Sequence, residues 1–319
     1  MLHAPTALLA LCLALAACAA DAPTVQLPAR ALATAGTEVA ADTARRGMQA
    51  ALPPAEGGAA LAAPRRVVRA DTDSVAVPRL AVLPDGFAHL RDVAPEIAVE
   101  MRYLTAFNFV GAPIDGYRAE TCILTERAAL ALARVADDLA AQNLGLKVYD
   151  CYRPQAAVDH FVRWARSGDQ TMKRGFYPTE ATTTLFRRGY IATRSGHTRG
   201  STVDLTLVAR PAAASVVRRY PTPADGPLPR CDRDASGTAG GTSDARFDDG
   251  DLDMGTAYDC LSPRAATAAR GIPAAARRNR ETLRAAMARR GFVNYSKEWW
   301  HYTLRDEPFP RTYHTFAVE

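Results

Sequence analysis

Neither H-E-x-x-H nor C-x-x-C occurs anywhere in the sequence. The first absence excludes the common metallopeptidase helix with two histidines one turn apart. The second argues against a four-cysteine structural zinc site. Long hydrophobic runs are missing too: Ala7–Ala17, "ALLALCLALAA", is too short to span a bilayer as a mature helix. The Asp-rich stretch 219–253 lacks a D-x-D-x-D-G loop with a glutamate at the required distance, which makes it a solvated loop rather than a calcium site. Lysine is scarce beside arginine, and the net charge is +5. The arginines are scattered, with no basic stripe interleaved with aromatics, so no nucleic-acid partner is expected. A weak attraction to anionic envelope surfaces is compatible with that charge. No internal repeat is visible.

What is present begins with a leader. The apolar run Ala7–Ala17 fits the core of a secretory signal and ends in "LAAC", Leu15 to Cys18. That tetrapeptide is similar to a bacterial lipoprotein processing site, in which Cys18 is acylated. The segment before the run carries no Lys or Arg, and ordinary cleavage within "ACAADA" is the alternative. Ala19 rather than Asp after Cys18 goes with outer-membrane sorting. Residues 1–18 are thus expected to be a lipoprotein signal, and 19–79, rich in Ala and Pro and nearly without aromatics, a flexible tether. Residues 80–319 carry the folded domain, long enough for a sizeable core. Within it, 219–253 is expected to be a surface insertion.

With Cys12 removed and Cys18 acylated, Cys122, Cys151, Cys231 and Cys260 remain. In an oxidising compartment they allow three connectivities. Cys122–Cys151 with Cys231–Cys260 is the expected one, because each pair brackets a compact stretch.

Periodicity places helices over 124–145, with Thr125 as N-cap and Gly145 past the end, over 155–168, and over 279–291 with Gly291 as terminator. Strands are expected over 146–153, 201–208 and 298–304. Helices mixed with a few strands, without strict alternation, indicate an α+β fold.

The chemistry lies in two short motifs. "SGHTRGSTVDLTL" (Ser195 to Leu207) and "EWWHYTL" (Glu298 to Leu304) supply His197, Asp204 and His301. Three N or O ligands with one open position is what a catalytic zinc needs. Glu298 and His301 would point to opposite sides of a regular strand, so a bend before His301 is required if both face one metal. Trp299 and Trp300 either wall the site or pack the core, and core packing is expected for at least one. His89, His160 and His314 have no partner pattern and receive no function.

The joint pattern S-x-H-x-x-G-x-x-x-D plus E-x-x-H resembles the D-alanyl-D-alanine dipeptidase family of zinc peptidases. "RYLTAFNFVGAPIDGY" (Arg102 to Tyr117), "YDCYRP" (Tyr149 to Pro154) and "MGTAYD" (Met254 to Asp259) extend the resemblance across the folded part, in order. It implies a small antiparallel sheet flanked by helices, in the Hedgehog and DD-peptidase-like zinc peptidase fold. It implies one Zn2+ per chain on His197, Asp204 and His301, with Glu298 as general base and Arg153 as oxyanion partner. Ser195 would meet the substrate carboxylate and Asp259 its ammonium group. Cys151 stands where that family commonly has a small residue, which implies a disulfide beside the active site. The implied activity is zinc-dependent hydrolysis of D-alanyl-D-alanine in the periplasm, with the protein lipid-anchored to the outer membrane and needing no obligate protein partner. Two alternatives remain: a related zinc peptidase acting on larger peptidoglycan stem peptides, or a zinc-stabilised binding lipoprotein without turnover. Retention of both Glu298 and Arg153 argues against the last, since a structural metal needs neither.

Overall fold

Thr125 decides where the first long helix starts: its side chain accepts a hydrogen bond from the Ala128 amide, satisfying one of the free N–H groups of the first turn. The computed structural model describes residues 83–210, 219–236 and 245–319. The expected leader 1–18, its Cys18, and the tether 19–79 lie outside the described residues. The described strands are β1 (Phe87–His89), β2 (Ala98–Val99), β3 (Ile123–Thr125), β4 (Leu144–Asp150), β5 (Thr202–Ala209), β6 (Phe292–Asn294) and β7 (His301–Leu304). The helices are α1 (Leu90–Val93), α2 (Glu126–Ala140), α3 (Gln155–Ser167), α4 (Lys173–Phe176), α5 (Thr182–Leu185) and α6 (Ala274–Arg289). Among these residues no helix is long and apolar enough to cross a membrane.

The mixture of sheet and helix agrees with the α+β expectation. β1 and β3 form a two-stranded ribbon, and the main sheet runs β2-β4-β5-β7-β6. The expectation of a purely antiparallel sheet needs correcting, because β2 pairs parallel to β4. The remaining neighbours in the main sheet are antiparallel. A two-residue edge strand carries too little alternation to be read from sequence.

β4 and β5 alternate so that one face is apolar and the other polar. Leu146 and Val148 stand opposite Leu207 and Leu205, while Lys147 stands opposite Thr206 and Asp150 opposite Asp204. α2 packs on β4 and α6 on β5. The polar face is covered by the segment around Asp249 and Asp251: Lys147 Nζ donates to the Asp249 carbonyl at 2.6 Å and Thr206 Oγ1 to Asp251 Oδ2 at 3.3 Å.

Several boundaries differ from the sequence reading, and the strand expected over 146–153 stops at Asp150, with Cys151 to Arg153 outside it. Gly145 does not end α2 but lies inside β4; Asn143, at φ 55°, makes the turn instead. α6 begins at Ala274, directly after Pro273, rather than at Asn279. β7 begins at His301, which leaves Glu298 to Trp300 in a turn.

The insertion 219–253 is not simply a solvated loop. Arg246 and Asp249 are buried, and the side chain of Asp251 is fully covered. Arg246 Nη2 reaches Asp251 Oδ1 at 2.6 Å, and Arg102 Nη2 reaches Asp249 Oδ2 at 2.7 Å. Tyr149 OH also donates to Asp249, at 2.7 Å. Asp249 looked solvated because two of its countercharges, Arg102 and Lys147, are remote in sequence. Both expected disulfides are present, Cys122–Cys151 and Cys231–Cys260.

Candidate active site

A bulge sets the site. The register of β4 on β5 shifts between Val148 and Asp150, so that Asp150, not Tyr149, faces Asp204. Asp204 in turn stands opposite His301, the first residue of β7. His197 enters from a one-turn 3-10 segment, His197–Arg199, which Gly200 closes at φ 82°. A Cβ on Gly200 would lie 2.2 Å from the Phe87 ring, so both the conformation and the space demand glycine.

These elements bring the three expected ligands together. His197 Nε2 lies 3.3 Å and His301 Nδ1 3.1 Å from Asp204 Oδ1, and the two ring nitrogens are 3.2 Å apart. His197 donates its Nδ1–H to the Cys151 carbonyl at 2.7 Å, which leaves the Nε2 lone pair facing Asp204 and His301. Asp204 Oδ1 is buried and has no hydrogen-bond partner. Burial alone would raise the Asp204 carboxyl, but His197 and His301 beside it hold it below the usual carboxylate range. Burial lowers His301 from its ordinary value, which favours the neutral ring. An orphaned carboxylate oxygen and an imidazole lone pair converging on one point are unfavourable without a cation between them. The donor set of two imidazoles and one carboxylate fits zinc.

Glu298 lies in the turn before β7, its Oε2 3.6 Å from His301 Nδ1. The turn closes through Glu298 N to the Tyr295 carbonyl at 2.9 Å. This is the bend the sequence reading required. Burial, reinforced by Asp204 and Asp259, pushes Glu298 well above the ordinary glutamate range.

Arg153 is aimed by Asp150. Its Nε and Nη2 reach Asp150 Oδ2 at 2.8 and 2.7 Å, and Nη2 is 3.5 Å from Asp204 Oδ2. The guanidinium stands 5.3 Å from the Tyr103 ring centre and 5.4 Å from that of Phe161. Asp150 is itself held by the Tyr117 hydroxyl at 2.5 Å and the Cys151 amide at 2.9 Å.

Asp259 faces the same cavity, with a backbone φ of 57°. For a residue with a Cβ that conformation costs about 1–2 kcal/mol. Tyr103 OH donates to Asp259 Oδ2 at 2.9 Å. Burial, then the nearby Asp204 charge, raises this carboxyl to about 7 against the pull of Arg153. Ser195 is buried and accepts from the His197 amide at 3.3 Å. Asp204, His301, Glu298, Arg153, Ser195 and Asp259 all line one cavity of about 560 Å³.

Trp300 lines that cavity, whereas Trp299 is a core residue whose indole donates to Thr256 Oγ1 at 2.8 Å. His89, His160 and His314 bind elsewhere: His89 to Thr121, His160 to Asp115, and His314 edge-on against Phe87.

Sequence reasoning missed Asp150, Tyr103 and Tyr258. Tyr258 OH lies 3.3 Å from Asp204 Oδ2, and its ring stacks on Tyr149 at 4.3 Å. Asp150 had a signal, since it sits three residues before Arg153 in "YDCYRP". The two tyrosines had none beyond lying in matched segments.

The D-ala-D-ala dipeptidase family model matches residues 84–215 and 234–319. A D-alanyl-D-alanine dipeptidase of Enterococcus faecalis is 36% identical over 238 residues, covering 74% of this chain and 100% of that protein. One from Streptomyces coelicolor is 36% identical over 234 residues, covering 73% of this chain and 98% of its own length. One from Enterococcus faecium is 34% identical over 236 residues, with 73% and 98% coverage. Matches of this extent take in every residue that lines the cavity, and the chain belongs to the D-ala-D-ala dipeptidase family, peptidase family M15.

Proposed function

We propose that this protein hydrolyses the dipeptide D-alanyl-D-alanine, using one zinc ion held by His197, Asp204 and His301. The observation that carries the reading is the unpartnered Oδ1 of Asp204 between two imidazoles, with Glu298 and Arg153 on the same cavity. Zinc bound there supplies a Lewis acid that brings a water pKa to about 7 and polarises the scissile carbonyl.

The chain's own groups do the rest. Glu298 takes a proton from the attacking water and passes it to the leaving amine. The water oxygen bonds to the carbonyl carbon, the C–N bond breaks, and two D-alanine molecules leave. Arg153, fixed by Asp150, donates to the carbonyl oxygen as charge grows on it, an interaction worth about 3–4 kcal/mol for a well-placed donor. Ser195 receives the substrate carboxylate, and Asp259 with Tyr103 receives the ammonium group. A buried carboxylate at that end favours a free amino terminus, because an acylated one leaves it unpaired.

We assign the catalytic domain to the Hedgehog and DD-peptidase-like fold. The reading also puts the protein in the periplasm, anchored to the outer membrane through acylated Cys18, with 19–79 as tether. Two disulfides support an oxidising compartment. The mature protein of a Cys18→Ala variant, fractionated from cells, should move from membrane to soluble extract; unchanged fractionation would remove the anchor.

The activity is tested with purified protein on D-Ala-D-Ala, N-acetyl-D-Ala-D-Ala and a stem pentapeptide, with and without chelator. Chelator-sensitive cleavage of the free dipeptide alone is expected. Equal cleavage of the pentapeptide would favour the larger-substrate alternative, and no cleavage of any would overturn the reading.

A further inference from the structure

The family match stops at residue 215 and resumes at 234, and the segment between them supplies Cys231. Cys231 grips the turn that carries Asp259 from both sides. Its carbonyl accepts from the Ala257 amide at 2.8 Å, and its sulfur is bonded to that of Cys260, the neighbour of Asp259. Between these two attachments Asp259 holds the left-handed conformation that aspartate seldom adopts. Further along, the Leu261 amide donates to the Phe176 carbonyl at 2.7 Å, so the turn is also tied toward α4. Cys231 and Cys260 are both buried. A conformation of this kind persists only where its surroundings over-determine it.

We propose that Cys231 is a positioning residue for substrate selectivity: its disulfide to Cys260 and its carbonyl bond to Ala257 together hold Asp259 where it meets the free amino group of the dipeptide. The inference rests on the proposed activity and deepens it. Cys231 touches no substrate; it acts through Asp259. Losing the clamp lets the Asp259 turn relax, so recognition of the ammonium group weakens while Glu298, Arg153 and the three metal ligands stay in place. The effect falls on KM and on discrimination against N-acetylated substrate, not on kcat.

The test is a double-mutant cycle between Cys231→Ala/Cys260→Ala and Asp259→Asn, assayed on D-Ala-D-Ala and its N-acetyl derivative. Removing the disulfide alone should raise KM for the free dipeptide about tenfold, narrow the preference over the N-acetyl form, and leave kcat within about twofold. In the Asp259→Asn background the same removal should change KM little, because its target is already gone. Equal effects in both backgrounds, or an unchanged KM in the first, would overturn the inference. A wild-type enzyme that fails to cleave D-Ala-D-Ala would instead overturn the proposed activity itself. If the cysteine variant does not fold, wild-type protein is titrated with reductant and each pair scored by alkylation and mass spectrometry. KM must then follow the reduced fraction of Cys231–Cys260, and a KM independent of it overturns the inference.

Discussion

At the residue scale, Glu298 and Asp259 are two carboxyls in one cavity with opposite tasks. In the proposed mechanism Glu298 takes a proton, so Glu298→Gln should lower kcat by about 10²–10⁴ while zinc content stays at one per chain. Steady-state kinetics with metal analysis checks this, and a variant with near-normal kcat contradicts it. In that mechanism Asp259 must be charged to hold the substrate's ammonium group. Its carboxyl is raised by burial to about 7, so it is neutral below that pH and charged above it. KM for D-Ala-D-Ala should therefore fall as pH rises toward about 7, and Asp259→Asn should flatten that limb. A dication on the neighbouring ligands draws the limb to lower pH without changing its sign. A wild-type KM that rises steadily from about pH 5 to about pH 7, or a falling limb left unchanged by Asp259→Asn, contradicts the assignment. Asp150 and Tyr258 act behind these groups. Both are buried; Tyr258 meets Asp204 from a distant segment, which is why a single sequence did not mark it, whereas Asp150 stands three residues before Arg153 and carries a local signal.

At the element scale, the bulge in β4 is the decisive feature. It puts Asp150 opposite Asp204, where it can aim Arg153. Asp150→Asn weakens that grip and leaves the Arg153 charge in place. Its kcat should drop about 10²-fold with KM nearly unchanged, as measured by steady-state kinetics. A normal kcat would mean Arg153 needs no such support. Bulges have no reliable signature in alternation, so β4 was legible as a strand while its irregularity was not. The turn before β7 was different. The spacing of Glu298 and His301 excluded a regular strand if both served one site, and the turn is where that argument required it. The ends of α2 and α6 were misjudged for a local reason. Gly145 follows the helical pattern of α2 but Asn143 makes the turn, and the stretch before Asn279 continues α6 back to Ala274, behind Pro273.

For the molecule as a whole, the long helices, the central strands and the cluster of His197, Asp204 and His301 were readable because each rests on a local pattern or on a motif. The polar underside of the sheet was not. Arg246, Asp249 and Asp251 are close in sequence, but Arg102 and Lys147, which complete the network, come from distant segments. Arg246→Ala leaves two buried carboxylates with one fewer cation and should cost about 3–5 kcal/mol of unfolding free energy. Denaturant titration reads this, and a change under about 1 kcal/mol would mean the network contributes little. That network underlies Tyr149 and, through the stacked Tyr258, the Oδ2 side of Asp204. The polar layer of the fold thus continues into the site, where Asp204 turns its unpartnered Oδ1 toward two imidazoles.

The most direct test of the account is to strip the purified protein of metal and titrate it with zinc while following D-alanine release from D-Ala-D-Ala. The account predicts no release before zinc is added and a rise that levels off at one equivalent per chain, with Asp204→Ala protein staying inactive throughout. Release by the stripped protein, or full activity of Asp204→Ala at one equivalent, would contradict it.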